Sequence, residues 1–330
     1  MDNEKKLPFV SALLVTRNEK DYIRISLMSL IEQTYPKDKY EIIVIDGESN
    51  DGTIEIVRDM QNEFCTEDFQ IRLLKNERHI LSSGWNIGIK AAKGDFVVRI
   101  DAHSTAAPNY IGKCVETMKR VDAVCVGGKL TTESLSSGDE AVPLVLSSPF
   151  GVGNSAFRVS DKEGYSDTAA FCLYKKSIFE KAGFFDEKMV RNQDIEMHSR
   201  IRKAGGRCYF NPEISAVYYS RNTVKKMLKQ AYGNGQWNMV LLKKDHTALS
   251  LRHLVPFAFV LFLLITLIGG FWWHPLWYLC IGVICLHLIL GLLFAFKKTN
   301  KISVVLRMPI LFISLHFAYG LGYIKGLLNK

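Results

Sequence analysis

The sequence predicts an α/β fold with a mostly parallel central sheet, followed by a C-terminal region of membrane helices. Over residues 8–220, short apolar runs alternate with segments of helical periodicity, as in βαβ units. Between Leu254 and Phe296 there is no Lys, Arg, Asp or Glu, and a spanning helix needs only about 20 apolar residues. We therefore expect a folded domain over residues 1–222, amphipathic interfacial helices over 223–252, and two or three hydrophobic helices over 253–330.

Each element of the N-terminal part follows from its local pattern. Runs of apolar residues predict strands at Pro8–Thr16, Glu41–Ile45, Ile71–Leu74 and Phe96–Ile100. Apolar residues at helical spacing predict helices at Asp21–Gln33, Thr53–Met60, Gly84–Ala92, Lys176–Ala182 and Asp194–Ala204. The segment Thr131–Gly164 is rich in Ser, Gly and Pro, which favours a long functional or mobile loop.

The apolar C-terminal stretch divides into helices. Gly, Trp, His and Pro residues between positions 269 and 275 favour a turn, so Leu254–Trp273 and Leu276–Phe296 are predicted to form a hairpin. A third segment, Met308–Ile324, is shorter and could span the membrane, re-enter it or lie in its interface. Residues 223–244 place lysines among apolar side chains, a pattern typical of amphipathic helices on an anionic membrane surface.

The distribution of charge predicts topology and excludes one class of partner. Basic residues lie on both flanks of the hairpin: Lys243, Lys244, Arg252, Lys297, Lys298, Lys301 and Arg307. By the positive-inside rule, both flanks and the N-terminal domain lie on the cytoplasmic side, as in a multi-pass protein of the cell membrane. Three spans would leave Lys325 and Lys330 outside, which the rule disfavours. Residues 253–330 carry six of the nine net positive charges, so the rest is nearly balanced, which argues against nucleic-acid binding.

Acidic side chains follow two of the predicted strands. Asp46 ends one strand, and Asp101 with His103 ends another. Open α/β sheets bind ligands at the carboxyl ends of their strands, so these residues predict a site for a nucleotide and its cation. Asp101 and His103 can hold a divalent cation, and because an imidazole ligand suits softer ions, Mn²⁺ is favoured over Mg²⁺. Glu19 and Asp46 can accept hydrogen bonds from a uracil N–H or from ribose hydroxyls.

An ordered set of motifs gives the chain a family resemblance. The motifs are Val15–Glu19, Ile45-Asp46 with Asp51-Gly52-Thr53, Asn86-x-Gly88, Asp101-Ala102-His103 and Asn192-Gln193-Asp194. Over about residues 8–220 the chain resembles the family 2 glycosyltransferases of GT-A fold. With Ser148–Asn154 and the hydrophobic tail, it is most similar to the membrane-anchored enzymes of bacterial exopolysaccharide assembly, of the succinoglycan type.

The resemblance implies roles for individual residues. Binding of the nucleotide sugar is expected of residues within these motifs: Thr16, Arg17, Glu19, Asp46, Asn86 and Asp101. The backbone around Thr16 and Arg17 is expected to form the base pocket, and Asp46 to contact uracil. Where the family usually has a second carboxylate this chain has His103, and where a second aspartate is frequent it has Gly47.

The resemblance also implies which residue is the catalytic base. An inverting transferase needs a group that takes the proton of the attacking acceptor hydroxyl. Asp194 matches one member of the family's acidic pair, while Gln193 stands in place of the other. Glu196 lies two residues along the helix and is expected to point away. His198, one turn on from Asp194, is interpreted as a helix-surface residue outside the catalytic set.

These observations predict a metal-dependent, inverting glycosyltransferase of the hexosyltransferase kind. Its donor would be a nucleotide-diphosphate sugar, with UDP favoured, and its acceptor a polyprenyl-diphosphate-linked oligosaccharide of bacterial surface or exopolysaccharide synthesis. One alternative is a processive polysaccharide synthase, although the Gln-x-x-Arg-Trp signature is incomplete before Trp237. Another is a catalytically silent scaffold that binds a nucleotide sugar in a membrane assembly complex, which Gln193 and His103 keep open. The sugar, the linkage and the oligomeric state do not follow from the sequence.

Overall fold

The computed structural model describes residues 7–133, 138–219 and 223–328. It divides into two compact units. The first draws its described residues from Met1–Thr131 and Ser160–Tyr219, and the second from Thr132–Val159 and Ser220–Lys330. The segment Thr132–Val159 therefore groups with the C-terminal helices, a feature that the sequence did not indicate. The predicted boundaries at residues 222 and 252 stay predictions.

The first unit is built on a mixed sheet. In chain order its strands are β1 (Val10–Thr16), β2 (Tyr40–Asp46), β3 (Ile71–Lys75), β4 (Phe96–Asp101), β5 (Ser104–Ala106), β6 (Cys125–Glu133), β7 (Gly164–Ser166), β8 (Ala170–Lys175) and β9 (Cys208–Tyr219). Their order across the sheet is β3-β2-β1-β4-β8-β6-β9-β5, and β7 pairs with β9. Strands β1 to β4 pair in parallel, whereas β8 runs antiparallel to β4 and β6, and β5 and β7 run antiparallel to β9. The predicted α/β class is confirmed; the sheet as a whole is mixed, and the predicted parallel arrangement holds for β1 to β4, where Asp46 and Asp101 end their strands.

Helices of the first unit pack on the sheet. They are α1 (Lys20–Ile31), α2 (Thr53–Phe64), α3 (Leu81–Ala91), α4 (Tyr110–Arg120), α8 (Ile178–Ala182) and α9 (Gln193–Lys203), whereas α5 (Ala141–Leu146), α6 (Pro149–Val152) and α7 (Ala156–Val159) belong to the second unit. Helix α1 buries Ile23 and Leu27, four residues apart on one face. Helix α3 approaches β1 and β2 closely because Gly88 has no side chain: an added Cβ would lie 2.9 Å from Cδ1 of Ile45 and of Leu13.

Long helices dominate the second unit. They are α10 (Val224–Lys244), α11 (Leu251–Gly269), α12 (Pro275–Phe296) and α13 (Ile302–Leu328). Helices α11, α12 and α13 are each long enough and apolar enough to cross a membrane. The third predicted segment is therefore part of a continuous helix of 27 residues. Helix α13 packs against α10, α11 and α12, so α10 buries one face on a neighbouring helix.

The segment predicted as a loop is partly helical and packed within the second unit. Helices α5 and α6 contact α13. The Phe150 ring lies 4.8 Å from the His287 ring and 5.1 Å from the Phe312 ring, centroid to centroid. Arg307 of α13 forms an ion pair with Asp139. The prediction of a loop is wrong for α5, α6 and α7. For α5 and α6 the reason is that they pack against α13, far along the chain, which a local pattern does not reveal.

Candidate active site

The carboxyl ends of β1 and β4 bring together residues that are far apart in the chain. Val15 of β1 pairs with Asp101, the last residue of β4, so the segments that follow these strands are neighbours. Nδ1 of His103 lies 3.3 Å from Oε1 of Glu19, within ion-pair distance. The His103 ring also packs edge-on against Tyr218, with 4.8 Å between ring centroids. A carboxylate from each of two strand ends and one imidazole thus share this edge of the sheet.

Asp194 joins this edge through Arg99. Helix α9 begins after Asn192, whose backbone is left-handed with a φ of 58°, and Asp194 lies in its first turn. The Asp194 carboxylate forms an ion pair with the guanidinium of Arg99, a residue of β4 that is only 3% exposed. Arg99 and Asp101 are two residues apart on the strand, so their side chains lie on the same face of the sheet. The predicted base therefore lies beside the strand that carries the predicted metal ligands.

The two aspartates of this edge have opposite pKa shifts. Burial raises the pKa of Asp101; the nearby His103 and Arg99 oppose this effect, the charges of Asp194 and Glu19 add to it, and the net direction is upward. Partial burial also raises the pKa of Asp194, but the nearby positive charge of Arg99 outweighs this effect, so the net direction is downward. Asp194 is thus kept ionised, whereas the carboxylate of Asp101 is desolvated.

The ends of β1 and β2 hold the residues predicted to bind the base. Thr16 is buried, and its Oγ1 has no hydrogen-bond partner among the residues that the structure describes. Asp46 is 4% exposed and accepts hydrogen bonds from the backbone N (2.8 Å) and Oγ (2.5 Å) of Ser49. The exposed side chain of Arg17 lies over Gly47, where an added Cβ would be 3.3 Å from its Cβ and Cδ atoms. A side chain at position 47 would require Arg17 to move by a few tenths of an ångström.

The side-chain amide of Asn86 is hydrogen-bonded to another part of the first unit. Its Nδ2 donates to the backbone O of Phe185 and to Oε1 of Glu187, both at 2.9 Å. Its Oδ1 accepts from the backbone N of Phe185, also at 2.9 Å. These bonds tie α3 to the turn that precedes α9. A contact of Asn86 with the donor stays a prediction.

His198 is fully buried, which corrects its interpretation as a surface residue. Its Nδ1 lies 2.8 Å from Oγ1 of Thr168, and its Nε2 lies 2.8 Å from the hydroxyl of Tyr174 and 3.4 Å from Sγ of Cys125. Ligand atoms of Cys125, His198 and Cys208 lie within 4.8 Å of one another, a spacing that could hold a metal ion. Because both imidazole nitrogens already have protein partners, we interpret the cluster as a hydrogen-bonded anchor for α9.

The residues at the end of β4 fit a cation whose coordination is completed by substrate. Within the three described stretches of chain, Asp101 and His103 are not part of any group of three ligand atoms that all lie within 4.8 Å of one another. Two protein ligands suffice where phosphate oxygens supply others, as in many sites that bind a divalent cation with a nucleotide. Burial raises the pKa of Asp101, so the ionised carboxylate is desolvated, and a bound cation would stabilise it.

Two solved structures share this fold. A mannosyltransferase, PcManGT from Pyrobaculum calidifontis, in complex with GDP-Man and Mn²⁺, superposes with a TM-score of 0.61 at 18% identity and covers 98% of this chain and 88% of that chain. GalNAc-T7 with UDP, GalNAc and Mn²⁺ superposes with a TM-score of 0.52 at 17% identity, over 75% of this chain and 52% of that chain. At such low identity the likeness shows the fold alone, which confirms the GT-A fold.

Sequence relatives extend the comparison. A dolichyl N-acetyl-alpha-D-glucosaminyl phosphate 3-beta-D-2,3-diacetamido-2,3-dideoxy-beta-D-glucuronosyltransferase of Methanococcus voltae is 29% identical over 97% of this chain and 98% of that protein. The succinoglycan biosynthesis protein ExoA of Rhizobium meliloti is 28% identical over 77% of this chain and 76% of that protein. Residues 11–183 match the profile described as glycosyl transferase family 2. More than half of the chain lies within that match, and the chain therefore belongs to glycosyl transferase family 2.

Proposed function

We propose that the chain is an inverting glycosyltransferase that moves a sugar from a nucleotide-diphosphate donor to a lipid-linked saccharide. The observation that carries this proposal is the approach of Asp194 to the strand that ends in Asp101. One carboxylate, kept ionised by Arg99, approaches the strand that ends in a second carboxylate, whose pKa is raised by burial. A sugar transfer from a diphosphate needs both kinds of group, a base for the acceptor and a cation holder for the leaving group.

Asp101 and His103 are the residues that would hold a divalent cation, with Mn²⁺ favoured over Mg²⁺. Such a cation neutralises the charge that develops on the departing diphosphate. The names of both structural neighbours include Mn²⁺, which supports a divalent ion. Those names include GDP-Man for one and UDP for the other, so the UDP preference depends on Thr16, Arg17, Glu19 and Asp46.

Asp194 would take the proton of the acceptor hydroxyl. The downward shift in the pKa of Asp194 keeps the carboxylate ionised at neutral pH, as a base requires. The hydroxyl oxygen then bonds to the anomeric carbon as the bond from that carbon to the diphosphate breaks. A single displacement of this kind inverts the anomeric configuration, so that an α-linked donor gives a β-linked product.

The acceptor is proposed to be a saccharide on a polyprenyl phosphate or diphosphate at the cytoplasmic face. The relative from Methanococcus voltae is named for a dolichyl-linked sugar phosphate, and the relative from Rhizobium meliloti for succinoglycan biosynthesis. Helices α11, α12 and α13 give this chain three candidate spans for the multi-pass topology that the basic flanks predict. Anchoring an enzyme at the bilayer restricts its search for a lipid acceptor to a surface.

The test is to incubate membranes that contain the full chain with labelled UDP- and GDP-sugars and a lipid extract, with chelator or with added Mn²⁺. We expect label in the lipid fraction with Mn²⁺, none with chelator, and one added sugar per acceptor. Label in a long polymer would instead favour a processive synthase. Membranes that contain Asp194→Asn are the matched control, and a product formed equally well by that variant would contradict the proposal.

A further inference from the structure

Arg99 is a charged residue among the apolar residues of β4, two positions before the strand ends at Asp101. Its neighbours on β4, Val97, Val98 and Ile100, are fully buried, and Arg99 itself is 3% exposed. Placing a guanidinium in such an environment is costly unless other groups compensate its charge. The contacts of the Arg99 side chain therefore indicate which function its buried charge serves.

Aromatic rings surround the guanidinium of Arg99. Its Cζ lies 4.8 Å from the centre of the Trp85 ring, 5.1 Å from that of Phe185 and 6.0 Å from that of Tyr174. Rings at these distances attract a cation and restrict the positions that a planar guanidinium can take. Nε and Nη1 of Arg99 are buried, and neither makes a hydrogen bond of good geometry in the described part of the chain, so the contact of Nη1 with Asp194 is an ion pair. The carboxylate that pairs with Arg99 is that of Asp194, whose side chain is 41% exposed.

Arg99 also links two functional positions of the site. It shares a strand and a sheet face with Asp101, two residues away. The ion pair joins Nη1 of Arg99 to Oδ1 of Asp194, so a residue fixed in the sheet holds one carboxylate oxygen of a residue at the start of α9. The rings around Arg99 fix the guanidinium, and the guanidinium in turn fixes the carboxylate.

We propose that Arg99 is a positioning residue that sets the place of the Asp194 carboxylate relative to Asp101, leaving Oδ2 to take the proton of the acceptor hydroxyl. This inference rests on the proposed role of Asp194 as the base. It assigns a function to the buried positive charge of β4. The donor site at the ends of β1 and β2 does not depend on it.

The test compares Arg99→Met and Arg99→Lys with wild type in the full-length protein, by steady-state kinetics and by binding of UDP with Mn²⁺. A base displaced by about 1 Å can cost about 100-fold in rate, so we expect Arg99→Met to lower kcat by about 100-fold. Its donor KM and its affinity for UDP should stay within about 3-fold of wild type. Arg99→Lys keeps a charge but not the planar fork, and should lose about 10-fold in kcat.

Arg72→Met is the matched control. Arg72 of β3 also pairs with a buried carboxylate in the sheet, with Nη1 3.0 Å from Oε2 of Glu41. This variant should lose stability with kcat and donor KM close to wild type. If Arg99→Met lowers kcat no more than Arg72→Met does, the inference is overturned. If Arg99→Met does not fold, Arg99→Lys decides: a folded variant with wild-type kcat overturns the inference.

Asp194→Asn separates this inference from the proposed function. If that variant keeps its turnover, the proposal that Asp194 is the base is wrong, and the proposed role of Arg99 is wrong as well. If Asp194→Asn is inactive while Arg99→Met is unimpaired, only the inference about Arg99 fails. Because residues that act through one another are not additive, the variant with both substitutions should be no slower than Asp194→Asn alone. Full additivity of the two losses would show that Arg99 acts independently of Asp194.

Discussion

Two aspartates at the carboxyl ends of parallel strands, Asp46 on β2 and Asp101 on β4, have opposite environments. Both carboxylate oxygens of Asp46 accept hydrogen bonds from Ser49, three residues further on. Burial raises the pKa of Asp101, and its carboxylate lies among other charged groups: those of His103 and Arg99 oppose the shift, and those of Asp194 and Glu19 add to it. The carboxylate of Asp46 is therefore satisfied within its own turn, whereas that of Asp101 is desolvated and close to two other carboxylates.

This difference separates two parts of the site. A polar group satisfied within its own loop gives that loop a fixed shape, which suits the placement of a nucleoside. Carboxylates crowded together are destabilising unless a ligand neutralises them, which suits a cation and the chemistry around it. Substitutions at the end of β4 and at Asp194 should therefore change kcat, and substitutions at the end of β2 should change donor KM.

The largest effect is expected for Asp194→Asn. Loss of a general base typically costs about 100- to 10,000-fold in rate, so kcat should fall within that range while UDP binding is retained. Transfer of labelled sugar and equilibrium binding of UDP measure the two quantities. Asp161→Asn is the matched control, since Asp161 is exposed and pairs with Lys129 away from α9. A large loss in that control would show that the assay is sensitive to any change of charge.

The metal ligands should show the next largest effect. Asp101→Ala should lower activity by at least about 100-fold, because charge on the leaving diphosphate is no longer neutralised. His103→Asp restores the second carboxylate that the family usually has at this position. Because oxygen ligands favour Mg²⁺, this variant should remain active and raise the ratio of activity with Mg²⁺ to activity with Mn²⁺. An unchanged ratio would show that His103 does not touch the metal.

The fold was predictable where local pattern and topology agree. The apolar run at Phe96–Ile100 predicted β4. The rule that parallel strands present their carboxyl ends at one edge predicted that Asp46 and Asp101 share an edge, and both lie beside the end of β1. The antiparallel strands β5 to β9 were harder to assign, because their pairing is set by contacts between distant segments. The helices α5 and α6 were missed for the same reason.

The site includes contacts that the local sequence pattern does not predict. The position of Arg99 between apolar residues of β4 was a signal in the sequence, but its partner Asp194 is identified only in three dimensions. His198 was interpreted as exposed because a polar residue on a short helix usually is, yet Thr168 and Tyr174 satisfy it in the core. Burial of a polar residue depends on partners that the fold supplies.

A moderate effect is expected for Asp46→Asn. The amide cannot accept from Ser49 through both of its polar atoms, and it loses the charge proposed to contact uracil. We expect donor KM to rise about 10-fold with little change in kcat, as for one lost hydrogen bond of about 1.4 kcal/mol. Ser49→Ala removes one hydrogen bond but keeps the carboxylate. An equal rise in KM for both variants would show that Asp46 acts by holding the turn and not by touching the base.

The smallest effect is expected for Glu187, whose carboxylate, like that of Asp46, accepts a hydrogen bond within the protein. The hydrogen bond from Asn86 lowers the pKa of Glu187, and burial opposes this effect. Arg78 lowers the pKa further, so the pKa of Glu187 in the folded protein lies below its usual value. A depressed pKa contributes stability above the unfolded pKa of about 4.3, and this contribution is lost as pH falls through the folded pKa. Glu187→Gln should therefore unfold more easily than wild type at pH 7, by about 1 kcal/mol, and the difference should shrink toward pH 3. Thermal unfolding in detergent across this pH range measures the difference in stability between variant and wild type. Glu77→Gln is the control, because the Glu77 side chain is 77% exposed. A difference that persists undiminished at pH 3 would show that Glu187 contributes through packing, and that its carboxylate is not an ionised partner of Asn86.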